Sequence, residues 1–106
     1  MYDLTAFQRD ILYVVGGLDN PYGLAIKRGL ESYYGKEINH GRLYPNLDTL
    51  VEAGLLDKSA LDKRTNLYTL TDGGYESIAE RRAWEDANVG GVEFDAATDR
   101  VQGANA

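Results

Sequence analysis

The chain contains no cysteine. Disulfides, thiolate metal sites and thiol-based redox sensing are excluded with it. His40 is the one histidine, and a lone imidazole among scattered acids provides neither metal-ligand spacing nor a catalytic triad. Gly16-Gly17 and Gly73-Gly74 are not followed by Gly-Lys-Ser/Thr, so neither has the signature of a phosphate loop. These absences argue against an enzyme, and no metal or cofactor is expected. Long hydrophobic runs are missing too: none approaches the roughly 18 residues a membrane helix needs. Met1 to Thr5 shows no basic stretch leading into an apolar one, so no secretory signal and no membrane partner are expected, and the location read from the sequence is cytoplasmic.

Positive charge is also scarce. Eleven Lys and Arg face seventeen Asp and Glu, a net charge of −6. That speaks against nucleic acid as a partner, since neutralising phosphate normally asks for a basic protein. The distribution softens the objection. From Glu85 onward five acids meet one base, so residues 1–84 carry only −2, and their bases are clustered. An acidic, lysine-poor surface also suits a halophilic protein, in whose salty cytoplasm long-range attraction is screened.

With 106 residues, 43 % hydrophobic and 26 % charged, the chain has the material for one folded domain. Thr5-Ala6-Phe7-Gln8 is a capping-box pattern that opens a first helix, whose apolar face runs through Phe7, Ile11, Leu12, Val14 and Val15 to Gly16-Gly17. Asn20 and Pro21 predict the cap and first position of a second helix, with Tyr22, Ile26, Leu30 and Tyr33 or Tyr34 at helical spacing and Gly35 at its end. Glu37-Ile38 suggests a very short strand. A third helix begins near His40-Gly41, with Leu43, Leu47, Leu50 and Val51 as its buried stripe, Pro45 in its first turn and Ala53-Gly54 as its stop. The period then changes to that of strands over Leu56 to Leu61 and Leu67 to Leu70, around the polar turn Asp62-Lys63-Arg64-Thr65-Asn66. Thr71 caps a fourth helix, with Tyr75, Ile78, Ala79 and Arg82 along one face and Trp84 near its end.

Helix, helix, short turn, helix, basic-tipped hairpin, helix is an α+β, mostly α arrangement. It predicts a winged helix-turn-helix with a three-helix core, a two-stranded wing and a C-terminal helix over residues 1–88. An acidic, mobile tail is expected over 89–106. In such a motif the third helix enters the major groove of double-stranded DNA. Opposite its leucines stand His40, Gly41, Arg42, Tyr44, Pro45, Asn46 and Thr49. Arg42 suits guanine and Asn46 adenine, while Tyr44 and Thr49 can reach phosphate and Gly41 allows close approach. Lys63 and Arg64 at the wing tip suit the neighbouring minor groove or backbone, and Lys27, Arg28 and Lys36 can add phosphate contacts. Asp48 and Glu52 lie on the same helix as Arg42 and oppose phosphate where they face it.

The segment from Gly41 to Leu56 resembles the recognition-helix signature of the PadR-like transcription regulators: Leu43-Tyr44-Pro45, then Leu47-x-x-Leu50, then Gly54-Leu55 leading into the wing. Tyr22-Gly23-Leu24-Ala25-Ile26 is similar to the start of the family's preceding helix. Tyr68-x-Leu70-Thr71-x-x-Gly74 is similar to its exit from the wing. The resemblance spans roughly residues 7–84, and the acidic composition suggests the haloarchaeal branch. It implies a homodimer on a palindromic operator, usually acting as a repressor, with dimerisation carried by the C-terminal helix. On this chain that puts Tyr75, Ile78, Ala79, Arg82 and Trp84 at the interface, joined by Phe7 and Ile11 of the first helix. A response to oxidative or envelope stress is expected of such a regulator. Two further readings stay open. The acidic charge fits a winged-helix protein–protein adaptor without DNA binding. The eight tyrosines leave room for an aromatic small-molecule effector between subunits, although no motif supports one.

Overall fold

The computed structural model describes residues 1–94, so the expected tail falls mostly on residues 95–106, outside the described residues. Four helices and one hairpin follow in order: α1 (Ala6–Gly17), α2 (Gly23–Tyr34), α3 (His40–Glu52), β1 (Leu56–Ala60), β2 (Asn66–Leu70) and α4 (Asp72–Val89). This is a mostly helical winged helix-turn-helix. The two strands pair antiparallel, from Leu56 with Leu70 to Ala60 with Asn66.

The core is built from the periodicity of the first three helices. Ile11, Leu12, Ile26, Leu30, Leu43, Leu47 and Leu50 are each 0 % exposed. Leu56 and Tyr68 close that core from the wing, and Ile38 closes it from the α2–α3 turn. Burying one such side chain is worth about 1.5–3 kcal/mol, so the leucine stripe of α3 fixes the rotation of that helix. Val51, read as part of the stripe, is only half-buried at its edge.

The start of α1 is the capping box that the sequence predicts: Thr5 Oγ1 accepts from the Gln8 N–H, and Gln8 Oε1 accepts from the Thr5 N–H. The start of α2 differs from expectation. Asn20 does not cap it but turns the chain at φ 45°, and the helix begins only at Gly23. The residues between are drawn into the wing, where Pro21 O accepts from the Tyr68 N–H at 2.9 Å and Tyr22 bridges Leu67. Extended pairing with β2 outweighs the local cap signal. Nor is Glu37-Ile38 a strand. The Ile38 side chain drops into the core, and its N–H donates to the Glu31 carboxylate at 2.9 Å. Pro45 lies in the second turn of α3 rather than the first, leaving the Gly41 carbonyl without the donor a regular helix supplies.

α4 docks on the wing and α1 through its first turns. Thr71 Oγ1 accepts from the Gly74 N–H and donates to the Gly54 carbonyl. Gly74 is buried, and a methyl group there would stand 2.3 Å from the Leu55 carbonyl oxygen. Glycine to alanine inside a helix ordinarily gains about 1 kcal/mol, but a fixed backbone atom reverses the sign here. Gly74→Ala should destabilise the domain by about 1–3 kcal/mol, read as a lower thermal midpoint by circular dichroism.

Candidate nucleic-acid interface

α3 presents one side to solvent. His40, Gly41, Arg42, Pro45, Asp48, Thr49 and Glu52 are exposed, while Tyr44 and Asn46 are half-buried on its two flanks. On the flank toward α1, the Arg42 guanidinium lies 3.9 Å from the centre of the Phe7 ring. Beside it, Gln8 Nε2 donates to Asn46 Oδ1 at 3.0 Å, and Asn46 Nδ2 donates to the Arg42 carbonyl at 2.8 Å. On the other flank Tyr44 stacks with His40, ring centres 4.3 Å apart. The Tyr44 hydroxyl lies against Gly23, where a methyl group would stand 2.1 Å from it. Gly23 is therefore what lets α2 and α3 approach at this point. Thr49 Oγ1 donates to the Pro45 carbonyl, which leaves its lone pairs for outside donors.

The wing tip is held by an acid. Asp62 Oδ1 accepts from the backbone N–H groups of Arg64 at 2.8 Å and Thr65 at 2.9 Å. The Arg64 N–H foremost keeps the Asp62 carboxyl below its ordinary range. This Asx turn leaves Lys63 and Arg64 exposed, with no ion-pair partner among the described residues. A cleft of about 280 Å³ joins tip to helix, lined by Arg64, Thr65 and Asn66 of the wing, Tyr44 of α3 and Tyr22 to Leu24 at the start of α2. That helix start has no side-chain cap, and Gly23 at its head is buried between Tyr44 and the wing.

The other predicted cations divide. Arg28 and Lys36 are exposed and outside any described ion pair. Lys27 is not free in this way: its ammonium is 3.0 Å from Glu31 Oε2, the atom that also accepts from the Ile38 N–H. That N–H, and then Lys27, hold the Glu31 carboxyl below its ordinary range, so Lys27 serves the α2–α3 turn. Asp48 is met by Lys58 at 3.5 Å, which offsets one of the two acids on α3.

The residues read as a dimer surface also divide. Phe7 and Ile11 lie inside the subunit, 5 % and 0 % exposed, and offer nothing to a second chain. Helical spacing marked their face as apolar, and that face is the core. Tyr75, Ile78 and Arg82 line a groove with Tyr13 and Leu70, and Ala79 is exposed on the same helix. Trp84 points elsewhere, into a groove with Met1, Tyr2, Glu80 and Arg81. Trp84 lies nine positions after Tyr75, two and a half turns at 3.6 per turn, so the two face opposite sides of the helix.

Sequence reasoning missed four residues of this region: Gln8, Asp62, Glu31 and Tyr34. Gln8 already had a role as a cap, and the Asp62-x-x-Thr65 spacing was the available sign of the wing turn. Tyr34 donates its hydroxyl to Asp10 Oδ2 at 2.5 Å and packs on Phe7, the ring beneath Arg42.

An exposed helix-turn-helix face beside a cation-tipped wing defines a transcription regulator with a DNA-binding fold. The chain belongs to the transcriptional regulator PadR-like family, whose model matches residues 11–80. It is similar to Halobacterium salinarum RosR in the complex designated S1: 51 % identity, 97 % of this chain and 89 % of that chain covered, TM-score 0.81. RosR grown from NaBr gives 50 % identity, 97 % and 93 % covered, and TM-score 0.81. The protein smu.1704 from Streptococcus mutans UA159 is 25 % identical, with 87 % and 85 % covered and TM-score 0.61. Among curated proteins the sequence finds no match. The family is one of transcriptional regulators, not of enzymes. No helix among the described residues is long and apolar enough to cross a membrane.

Burial, and after it the bond to Asp10, push the Tyr34 phenol up to about 12 from its ordinary 10.0. The folded chain thus holds this proton to higher pH than the unfolded chain does. The stability it contributes is complete below pH 10.0 and is lost as pH rises toward about 12. Burial also pushes up the Tyr13 and Tyr68 phenols, so several tyrosines should titrate late in an ultraviolet tyrosinate titration, and Tyr34→Phe should reduce that late amplitude by one tyrosine.

Proposed function

We propose that the protein is a repressor that binds a palindromic operator as a homodimer. The two α3 helices enter successive major grooves about 34 Å apart, and each wing lies on the flanking backbone. The cleft shared by Tyr44, Arg64 and the uncapped start of α2 carries this reading. It gathers a phenol, a guanidinium and the first turn of α2 on the side of α3 that leads to its exposed face. H. salinarum RosR, about half identical to this chain, forms complexes designated S1, S4 and SG, which supports a partner-binding role for the shared surface. With no cysteine, the inducing signal, an oxidative or envelope stress in this reading, acts through something other than a thiol.

In this reading Arg42 and Asn46 read base edges, and His40, Tyr44, Thr49, Lys63, Arg64, Arg28 and Lys36 position the backbone. Arg42→Ala should flatten base preference at one position per half-site, at about 1–3 kcal/mol of discrimination. Lys63→Ala and Arg64→Ala should weaken binding to all sequences alike, each lowering the slope of log K against log salt by about 1. Anisotropy titrations on operator and scrambled duplexes across a salt series measure both effects. Sequence-independent loss in Arg42→Ala, or no shift of any genomic fragment by the wild type, would contradict the assignment. The second outcome would favour the adaptor reading.

Dimerisation is assigned to α4 and the exposed part of α1. Tyr75 is 62 % exposed beside Tyr13, and Trp84 is 55 % exposed on the opposite side of the helix. Tyr75→Glu should shift the sedimentation equilibrium from dimer to monomer, whereas Trp84→Glu should have this effect only where the contact wraps around α4.

A further inference from the structure

Resting on α3 as the base-reading helix, we infer that Gln8 of α1 is a specificity-positioning residue: it fixes the polarity of the Asn46 amide and hence the base that Asn46 selects. The hydrogen bonds form a directed chain. The Thr5 N–H donates to Gln8 Oε1 at 3.1 Å, Gln8 Nε2 donates to Asn46 Oδ1 at 3.0 Å, and Asn46 Nδ2 donates to the Arg42 carbonyl at 2.8 Å. Both ends are backbone groups of fixed character. An N–H can only donate and a carbonyl can only accept, so just one orientation of each amide completes the chain. Turning Asn46 over would set donor against donor at Gln8 and acceptor against acceptor at Arg42.

A primary amide carries two lone pairs on its oxygen and two N–H groups. The chain engages one of each. One acceptor and one donor remain on Asn46, in an order set before any duplex arrives, and this is the set that the N6–H and N7 of adenine take in the major groove. α1 governs the neighbouring side chain as well, because Arg42 rests on the face of Phe7. The first turn of α1 thus orders both base-reading side chains, which lowers the entropy they lose on binding.

The test begins with selection of preferred sites from random duplexes by the wild-type chain. Affinities for the selected site and a scrambled one are then measured for Gln8→Ala, Asn46→Ala and the double variant. Gln8→Ala should lower the ratio of the two affinities about five- to tenfold, leave scrambled binding unchanged, and add no loss in the Asn46→Ala background. Thr5→Ala removes the hydroxyl cap but keeps the Gln8–Asn46 bond, so it should lose stability without losing discrimination. Gln8→Glu keeps the acceptor for the Thr5 N–H and sets an oxygen against Asn46 Oδ1. It should fold and change the preferred base at one position. Wild-type discrimination in Gln8→Ala and an unchanged base in Gln8→Glu would overturn the inference, as would equal loss in Thr5→Ala or in the Asn46→Ala background. A wild-type chain that enriches no sequence would overturn the base-reading assignment of α3 itself, and this inference with it.

Discussion

Everything at the candidate interface depends on α3 being gripped on three sides. Leu43, Leu47 and Leu50 anchor it to the core. Phe7 and Gln8 hold the flank that carries Arg42 and Asn46, and Gly23 receives the Tyr44 hydroxyl on the other flank. A helix fixed in this way keeps a single rotation about its axis, so the same side chains always face outward. Side chains ordered in advance lose less entropy on contact. That matters for a chain of net charge −6, which has little long-range attraction to offset such a loss.

Four of the acids have structural partners; Glu31 and Asp48 are offset by a lysine, while Asp62 and Asp10 keep their charge. Asp62 holds the wing turn, Glu31 holds the α2–α3 turn, Asp10 holds Tyr34, and Asp48 meets Lys58. Glu52 stays exposed on α3 and does oppose phosphate. Against it stand Arg28, Lys36, Lys63 and Arg64, clear of the described ion pairs. In high salt, where exposed charges are screened within a few ångströms, short hydrogen bonds, ring stacking and shape gain weight over net charge. The Tyr44–His40 stack and the amide chain through Gln8 are contacts of that kind.

Much of this was legible in the sequence, since the governing forces are local or periodic. The leucine stripe of α3, the Thr5–Gln8 capping box, the Thr71 cap and the basic hairpin turn stand where the residues predict. What escaped was long-range. Asn20-Pro21 carries a sound helix-start signal, but pairing with β2 takes those residues. Apolar spacing cannot separate a face buried against its own domain from one buried against a copy, so the interface that the resemblance implies takes in Phe7 and Ile11 although they are core. The resemblance puts Trp84 at the interface together with Tyr75, although the two look to opposite sides of α4. The contact from Gln8 to Asn46 spans 38 residues and exists only once α1 and α3 have packed.

Methylation interference on a bound operator tests most directly whether α3 reads the major groove. Methylation of guanine N7, which projects into that groove, should block binding at two clusters one helical turn apart, about 10 base pairs. Interference confined to adenine N3 in the minor groove, or spread evenly along the fragment, would contradict the account.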